Sequence, residues 1–152
     1  MKNLRVLCRV VTYDPKNMSI LLVRNENQNW WCLPGGGWDH NQETILECAS
    51  RETLEETGIQ VKIMKLLYTQ TLYLEGEGNT WLEHFWLAEP IESTEIPLGH
   101  NDMHGVVDEA RWFTKGDIQK ITVYPEVFKT IFWDIIKLVI NEPDRYLGHF
   151  IL

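Results

Sequence analysis

The segment Gly35 to Ile59, GGGWDHNQETILECASRETLEETGI, constrains this chain more than any other stretch. Thr44 to Thr57 reads as a helix, and Gly58 stops it in the left-handed position that follows a helix end. At about 100° per residue, Glu52, Glu55 and Glu56 fall within roughly a 100° arc, with Leu46, Ala49 and Thr53 on the adjacent arc. Carboxylates at these spacings repel one another, and the helix dipole disfavours negative charge near the C-terminal end. Two environments accommodate such a face. One is open solvent with side-chain ion pairs. The other is a hard divalent cation, since magnesium takes carboxylate, phosphate and water oxygens. Arg51 supplies a counter-charge and a fork suited to a carboxylate. The glycine triplet ends a short apolar strand, and it lets backbone approach a ligand without Cβ interference.

The rest of the chain frames this segment with strands. Leu4 to Tyr13 and Ile20 to Arg24 read as strands around the turn residues Asp14-Pro15-Lys16-Asn17, and Trp30 to Leu33 as a third. Val61 to Leu74 and Thr80 to Ala88 form a hairpin around Glu75-Gly76-Glu77-Gly78-Asn79. Glu89 to Asp108 has no regular pattern, and Ala110 to Phe113 reads as a last core strand. Val127, Ile131, Ile135 and Leu138 repeat at helical spacing and predict an amphipathic helix over Tyr124 to Ile140. Strands, helix, strands, helix in that order predict an α/β (α+β) fold, a mixed sheet between helices, in one domain over residues 1–152. The terminal run, Asn141 to Leu152, is a candidate for packing on this domain or on a second subunit of a homodimer.

Charge and cysteine content narrow the function. A net charge of −8 with 22 acidic against 14 basic residues repels polyphosphate, so nucleic acid is not an expected partner. A small anionic substrate is expected only with metal ions in the site. Lys129, Asp134 and Lys137 interrupt the most apolar stretch, so no membrane span is expected. The start of the chain shows no secretory pattern, and Cys8, Cys32 and Cys48 lack metal-like spacing. A reduced, cytoplasmic protein is the expectation.

Taken whole, Gly37 to Ile59 resembles the Nudix box at every fixed letter: Gly37, Glu43, Arg51, Glu52, Glu55, Glu56 and Gly58, with an apolar Ile59 after them. Seven such letters, each at about one in fifteen, coincide by chance on the order of once in 10⁸ starts. Thr53 departs mildly, standing in an apolar slot with a shape close to Val. The resemblance implies a Nudix-type α/β/α sandwich and a hydrolase that cleaves a phosphoanhydride bond in a nucleoside diphosphate linked to a further group. It implies Mg²⁺, with Mn²⁺ as a substitute, held by Glu55 and Glu56 with help from Glu52 and the Gly36 carbonyl. Arg51 would orient Glu52, while Glu43, Gly37 and Gly58 would support the loop–helix geometry. The general base in such enzymes lies either in the box helix, here Glu52, or on a later loop. In that loop Asp102, His104, Asp108 and Glu109 are candidates, and Glu109, just before an aromatic strand, resembles the family pattern best.

Trp38 beside the glycines is a candidate for stacking on a base. Arg24 after the second strand is a candidate phosphate contact, with a surface role as its rival, and Cys32 reads as a small strand residue. Among substrates of the resembling family, a MutT-like preference for (deoxy)nucleoside triphosphates is expected by elimination. ADP-ribose or another nucleotide sugar and dinucleoside polyphosphates are the alternatives. A different class, a sensor that binds nucleotide without cleaving it, usually lacks box carboxylates that are all present here.

Overall fold

The computed structural model describes residues 3–150; residues 1–2 and 151–152, which end the two terminal runs read above, lie outside it. Leu4–Asp14 forms β1 and Ser19–Asn25 forms β2. Asp14 holds the turn between them, accepting from the Lys16 N–H at 2.9 Å and the Asn17 amide at 2.6 Å. The two strands pair only next to this turn, Tyr13 with Ile20 and Asp14 with Ser19, and then splay apart. Residues 31–37 fill the split. Trp31–Cys32 (β3) pairs with β2, and Gly35–Gly37 (β4) runs antiparallel to Leu7, Cys8 and Arg9 of β1.

The glycine triplet is therefore a strand in its own right, not the strand-end loop that its composition suggests. The reason is steric. A Cβ built on Gly35 would lie 2.0 Å from the Cys8 carbonyl oxygen, so only glycine permits this approach.

Ile45–Thr57 is α1. Thr44 caps it, its side chain accepting from the Glu47 N–H while the Glu47 carboxylate accepts from the Thr44 N–H, and Gly58 ends it at φ 73°. Val61–Leu74 (β5) and Asn79–Pro90 (β6) form the expected hairpin, and β6 lies parallel to β1. Val107–Thr114 (β7) pairs antiparallel with β2 and runs into the short helix Lys115–Ile118 (α2). Val123–Tyr124 (β8) pairs parallel with β3. The sheet is mixed, in the order β5-β6-β1-β2-β3-β8, with β4 beside β1 and β7 beside β2.

The end of the chain differs from the single helix expected over Tyr124 to Ile140, and β7 is not the last strand. Tyr124 belongs to β8, Glu126–Lys129 is a 3-10 turn, and only Phe132–Val139 (α3) is α-helical. Pro125 forces the residue before it toward extended backbone, so no helix begins at Tyr124. Thr130, at φ −118° and ψ −109°, interrupts the chain again. The buried stripe is Phe128, Phe132 and Ile136, one position after the predicted one, and Ile131 and Leu138 face solvent.

Period-two alternation along β1 divides the core. Val11 and Tyr13 join Ile20, Leu22, Phe85 and Phe113 beneath α2, the 3-10 turn and α3. Cys8 and Val10 join Leu21, Trp86 and Ala88 beneath Ile45, Cys48 and Ala49 of α1. Helices thus cover both faces of the sheet.

The chain after α3 straps the edge strand. Lys65 of β5 donates to the carbonyls of Val139, Ile140 and Glu142, the first two at 2.8 and 2.9 Å. Asp144 accepts from the Leu66 N–H at 3.2 Å, where β5 bulges, and the Tyr146 ring meets Trp86 edge-on at 5.0 Å. Residues 141–146 therefore pack on this chain's own β5 and β6. Among the described residues no helix is long and apolar enough to cross a membrane.

Candidate active site

Two surfaces meet along β4: the acidic face of α1 and the backbone of the glycine triplet. Glu52 lies against Gly36, where a Cβ would come within 2.5 Å of its carboxyl carbon and 2.6 Å of either oxygen. Glu56 accepts from the Gly35 N–H at 2.9 Å. Burial pushes the Glu56 carboxyl up to about 8 despite that hydrogen bond, and the charges of Glu52 and Asp102 add to the rise.

Arg51 ties the remaining box acids together. It grips Glu43 with two bonds, at 2.6 and 2.9 Å, and reaches Glu52 at 2.8 Å and Glu55 at 3.2 Å. The Arg51 hydrogen bonds hold the Glu43 carboxyl below the usual carboxylate range. Arg51 thus sets the Glu52 side chain from the α1 side while Gly36 bounds it on the other. Gly37 admits Arg5, whose Nη2 lies 2.8 Å from where its Cβ would stand, and Gly58 packs under Pro97 and His100. His100 bonds the Glu55 carbonyl at 2.8 Å and so attaches the irregular segment to the end of α1.

That segment completes a cavity of about 250 Å³ lined by Glu56, His100, Asp102, Asp108 and Glu109. Asp102 is almost fully buried and accepts from the Val107 N–H at 3.2 Å. Both oxygens of Glu109 are taken by arginines, one by Arg24 at 2.7 Å and the other by Arg111. Arg24, the candidate phosphate contact, is thereby paired with Glu109, the candidate base, and its guanidinium lies 5.2 Å from the Trp31 ring centre. Trp38 donates to the Glu43 carbonyl at 2.8 Å and lines a separate cavity with Arg5 and His40.

Among the described residues no three His, Cys, Asp or Glu side chains converge into a finished metal cage. The donor chemistry nevertheless suits a hard cation. Glu56 is a half-buried carboxyl beside Glu52 and Asp102, and the Gly35 N–H is its partner. Arg9 offsets only part of the cost of charging it, and a bound cation would supply the rest.

A second, larger cavity of about 650 Å³ opens between Trp30, Trp81, Phe85 and Tyr124. Arg9 and Glu83 line it, paired at 2.8 Å, and the second Glu83 oxygen accepts from Gln70 at 2.6 Å. Sequence reasoning singled out none of these three. A signal was present: Arg9 stands inside the apolar run VLCRVV and Glu83 inside the aromatic run TWLEHFW, and opposite charges inside two strands suggest a buried pair.

A family model described as the NUDIX domain matches residues 3–133. A NUDIX hydrolase from Nitrosomonas europaea superposes with a TM-score of 0.72 at 20% identity, covering 96% of this chain and 97% of that one. The MutT NUDIX hydrolase from Burkholderia pseudomallei superposes at 0.65 with 25% identity, over 81% of this chain and 92% of that one. In sequence, the NAD-capped RNA hydrolase ndx-9 of Caenorhabditis elegans is 25% identical over 108 residues, 70% of this chain. That match spans only 27% of the worm protein's length, and another to the mitochondrial Nudix hydrolase 12 of Arabidopsis thaliana spans 21%. The box glutamates gathered at β4, the sheet between helices and the match over residues 3–133 agree: the chain belongs to the NUDIX family.

Proposed function

We propose that this protein is a Mg²⁺-dependent hydrolase, with Mn²⁺ as a substitute, of the phosphoanhydride bond in a nucleoside diphosphate linked to a further group. The observation that carries the reading is Glu56, a half-buried carboxyl bonded to the Gly35 backbone and flanked by Glu52 and Asp102. Glu52, Glu55 and Glu56, with the Gly36 carbonyl, would hold the cation. Bound there, it would neutralise phosphate charge and lower the pKa of a water.

The chain's own residues do the rest. Arg51 fixes Glu52, and Glu43 fixes Arg51, so the Glu52 carboxylate keeps one orientation. Glu52 takes the proton of the attacking water. Glu109, the other expected base, is committed to Arg24 and Arg111 and serves to hold β7 against β2. The glycine backbone lets the phosphates approach the sheet closely.

A (deoxy)nucleoside triphosphate is the first-choice substrate, acted on by a single domain in a reducing, cytoplasmic setting. The aromatic cavity beside β4 suits the base, and the strongly acidic surface disfavours long nucleic acid. Phosphate and pyrophosphate release from triphosphates, ADP-ribose, other nucleotide sugars, dinucleoside polyphosphates and capped RNA tests it. Triphosphates are expected to lead in kcat/KM. A tenfold preference for ADP-ribose would replace the substrate and leave the hydrolase reading in place. Tight binding of one compound without cleavage of any would reject hydrolysis.

A further inference from the structure

Arg9 lines the aromatic cavity and bonds Gly35, the residue whose N–H holds Glu56 of the acidic cluster. Of the five N–H donors of its guanidinium, one meets Glu83 and one meets the Gly35 carbonyl at 3.3 Å, and Nη2 has no partner among the described residues. Gly35 thus links the two: its carbonyl accepts from Arg9, and its N–H donates to Glu56. Arg9 is the only Lys or Arg among the described residues that line the aromatic cavity. Glu83 is 3% exposed and Arg9 half-buried, and Gln70 holds Glu83 through its second oxygen. A guanidinium fixed by such a pair, with donors to spare, meets a phosphate oxygen without losing side-chain freedom on binding.

The cavity around it is built for a flat, partly polar group. Its volume of about 650 Å³ lies within the range of small-molecule sites. Trp30 and Tyr124 meet edge-on at 5.5 Å, and Trp81 supplies a further ring to the lining. Two buried polar atoms of lining residues, Gln28 Oε1 and Trp81 Nε1, have no hydrogen-bond partner. One is an acceptor and the other a donor, the pair of functions a base edge needs after a small side-chain rotation.

We infer that Arg9 is a positioning residue for the phosphate attached to the nucleoside, holding a nucleoside 5′-monophosphate moiety in the aromatic cavity while the acidic cluster takes the next phosphate. This deepens the proposed hydrolase reading and rests on it for the second phosphate. The buried Glu83 gives the fork its direction, so Arg9→Lys keeps the charge but loses the bidentate reach.

The experiment follows tryptophan fluorescence in excess chelator with adenosine, guanosine, cytidine, uridine and their 5′-monophosphates. Arg9→Met combined with Glu83→Gln avoids a buried unpaired charge and is compared with Glu83→Gln alone. The expected result is a loss of at least about tenfold in monophosphate affinity with nucleoside affinity unchanged, equivalent to about 1.4 kcal/mol. Arg9→Lys should fall between the two. An unchanged ratio of monophosphate to nucleoside affinity overturns the inference, as does a failure of all eight compounds to bind. Should the double variant not fold, the same ratio in Arg9→Lys decides. Binding with the expected ratio but no hydrolysis of any substrate rejects the hydrolase reading alone, and hydrolysis with Arg9 indifferent rejects this inference alone.

Discussion

Glu56→Gln separates a solvated acidic face from a cation site. Because burial holds the Glu56 carboxyl near 8, the metal-free protein carries it largely protonated at neutral pH, and glutamine is close to an isostere of that form. Thermal melts in chelator should show stability unchanged or slightly raised, while metal-dependent turnover falls by several orders of magnitude. Near-normal turnover in a folded variant would remove Glu56 from the site. The sign of the pH effect follows from the same shift. Glu56 binds its proton more tightly folded than unfolded, so its contribution is complete below about 4.5 and is lost as pH rises through about 8. Melting temperature in chelator should therefore decline over that window in the wild type and decline less in Glu56→Gln. Glu43→Gln loosens Arg51 rather than removing a ligand, and turnover should drop by about 10–100-fold with the fold intact.

At the scale of elements, the site depends on β4 wedged between β1 and β2. Gly35→Ala places a methyl group 2.0 Å from the Cys8 carbonyl oxygen, and the strand must withdraw. Denaturant unfolding should show a loss of at least about 2 kcal/mol, with activity falling alongside as Glu56 loses its N–H partner. A wild-type midpoint would show that β4 lies farther from β1. The strap after α3 is tested by Lys65→Met, which leaves the carbonyls of Val139, Ile140 and Glu142 without their donor. A cost of about 1–3 kcal/mol is expected. Amide exchange should quicken in residues 132–146 while α1 stays protected, and uniform quickening would contradict a local strap.

Across the whole molecule, excess chelator should abolish hydrolysis, and adding Mg²⁺ should raise the melting temperature of the wild type but not of Glu56→Gln. An equal rise in both would place the ion elsewhere. Much of the fold was legible in the sequence, because local chemistry determined it. The Thr44–Glu47 capping box and Gly58 bound α1, the 61–74 and 79–90 strands flank a glycine-bearing turn, and the box glutamates share one face because helix geometry requires it. Apart from Pro125, which keeps a helix from starting at Tyr124, the exceptions involve partners distant in sequence. Whether Gly35–Gly37 was loop or strand depended on the Cys8 carbonyl, and that Val123–Tyr124 form a strand depended on β3. Which late acid stays free of arginine depended on β7 pairing, since the Arg24–Glu109 register joins those two while Asp102 lines the same cavity bonded to the Val107 N–H. The Arg9–Glu83 pair, 74 residues apart, exists because β6 lies parallel to β1 in one register. Periodicity, caps and turns are properties of neighbouring residues and can be read along the chain. A cavity, an ion pair and a carboxyl driven to about 8 are properties of what the fold brings together and shields from water, and only the tertiary structure decided them.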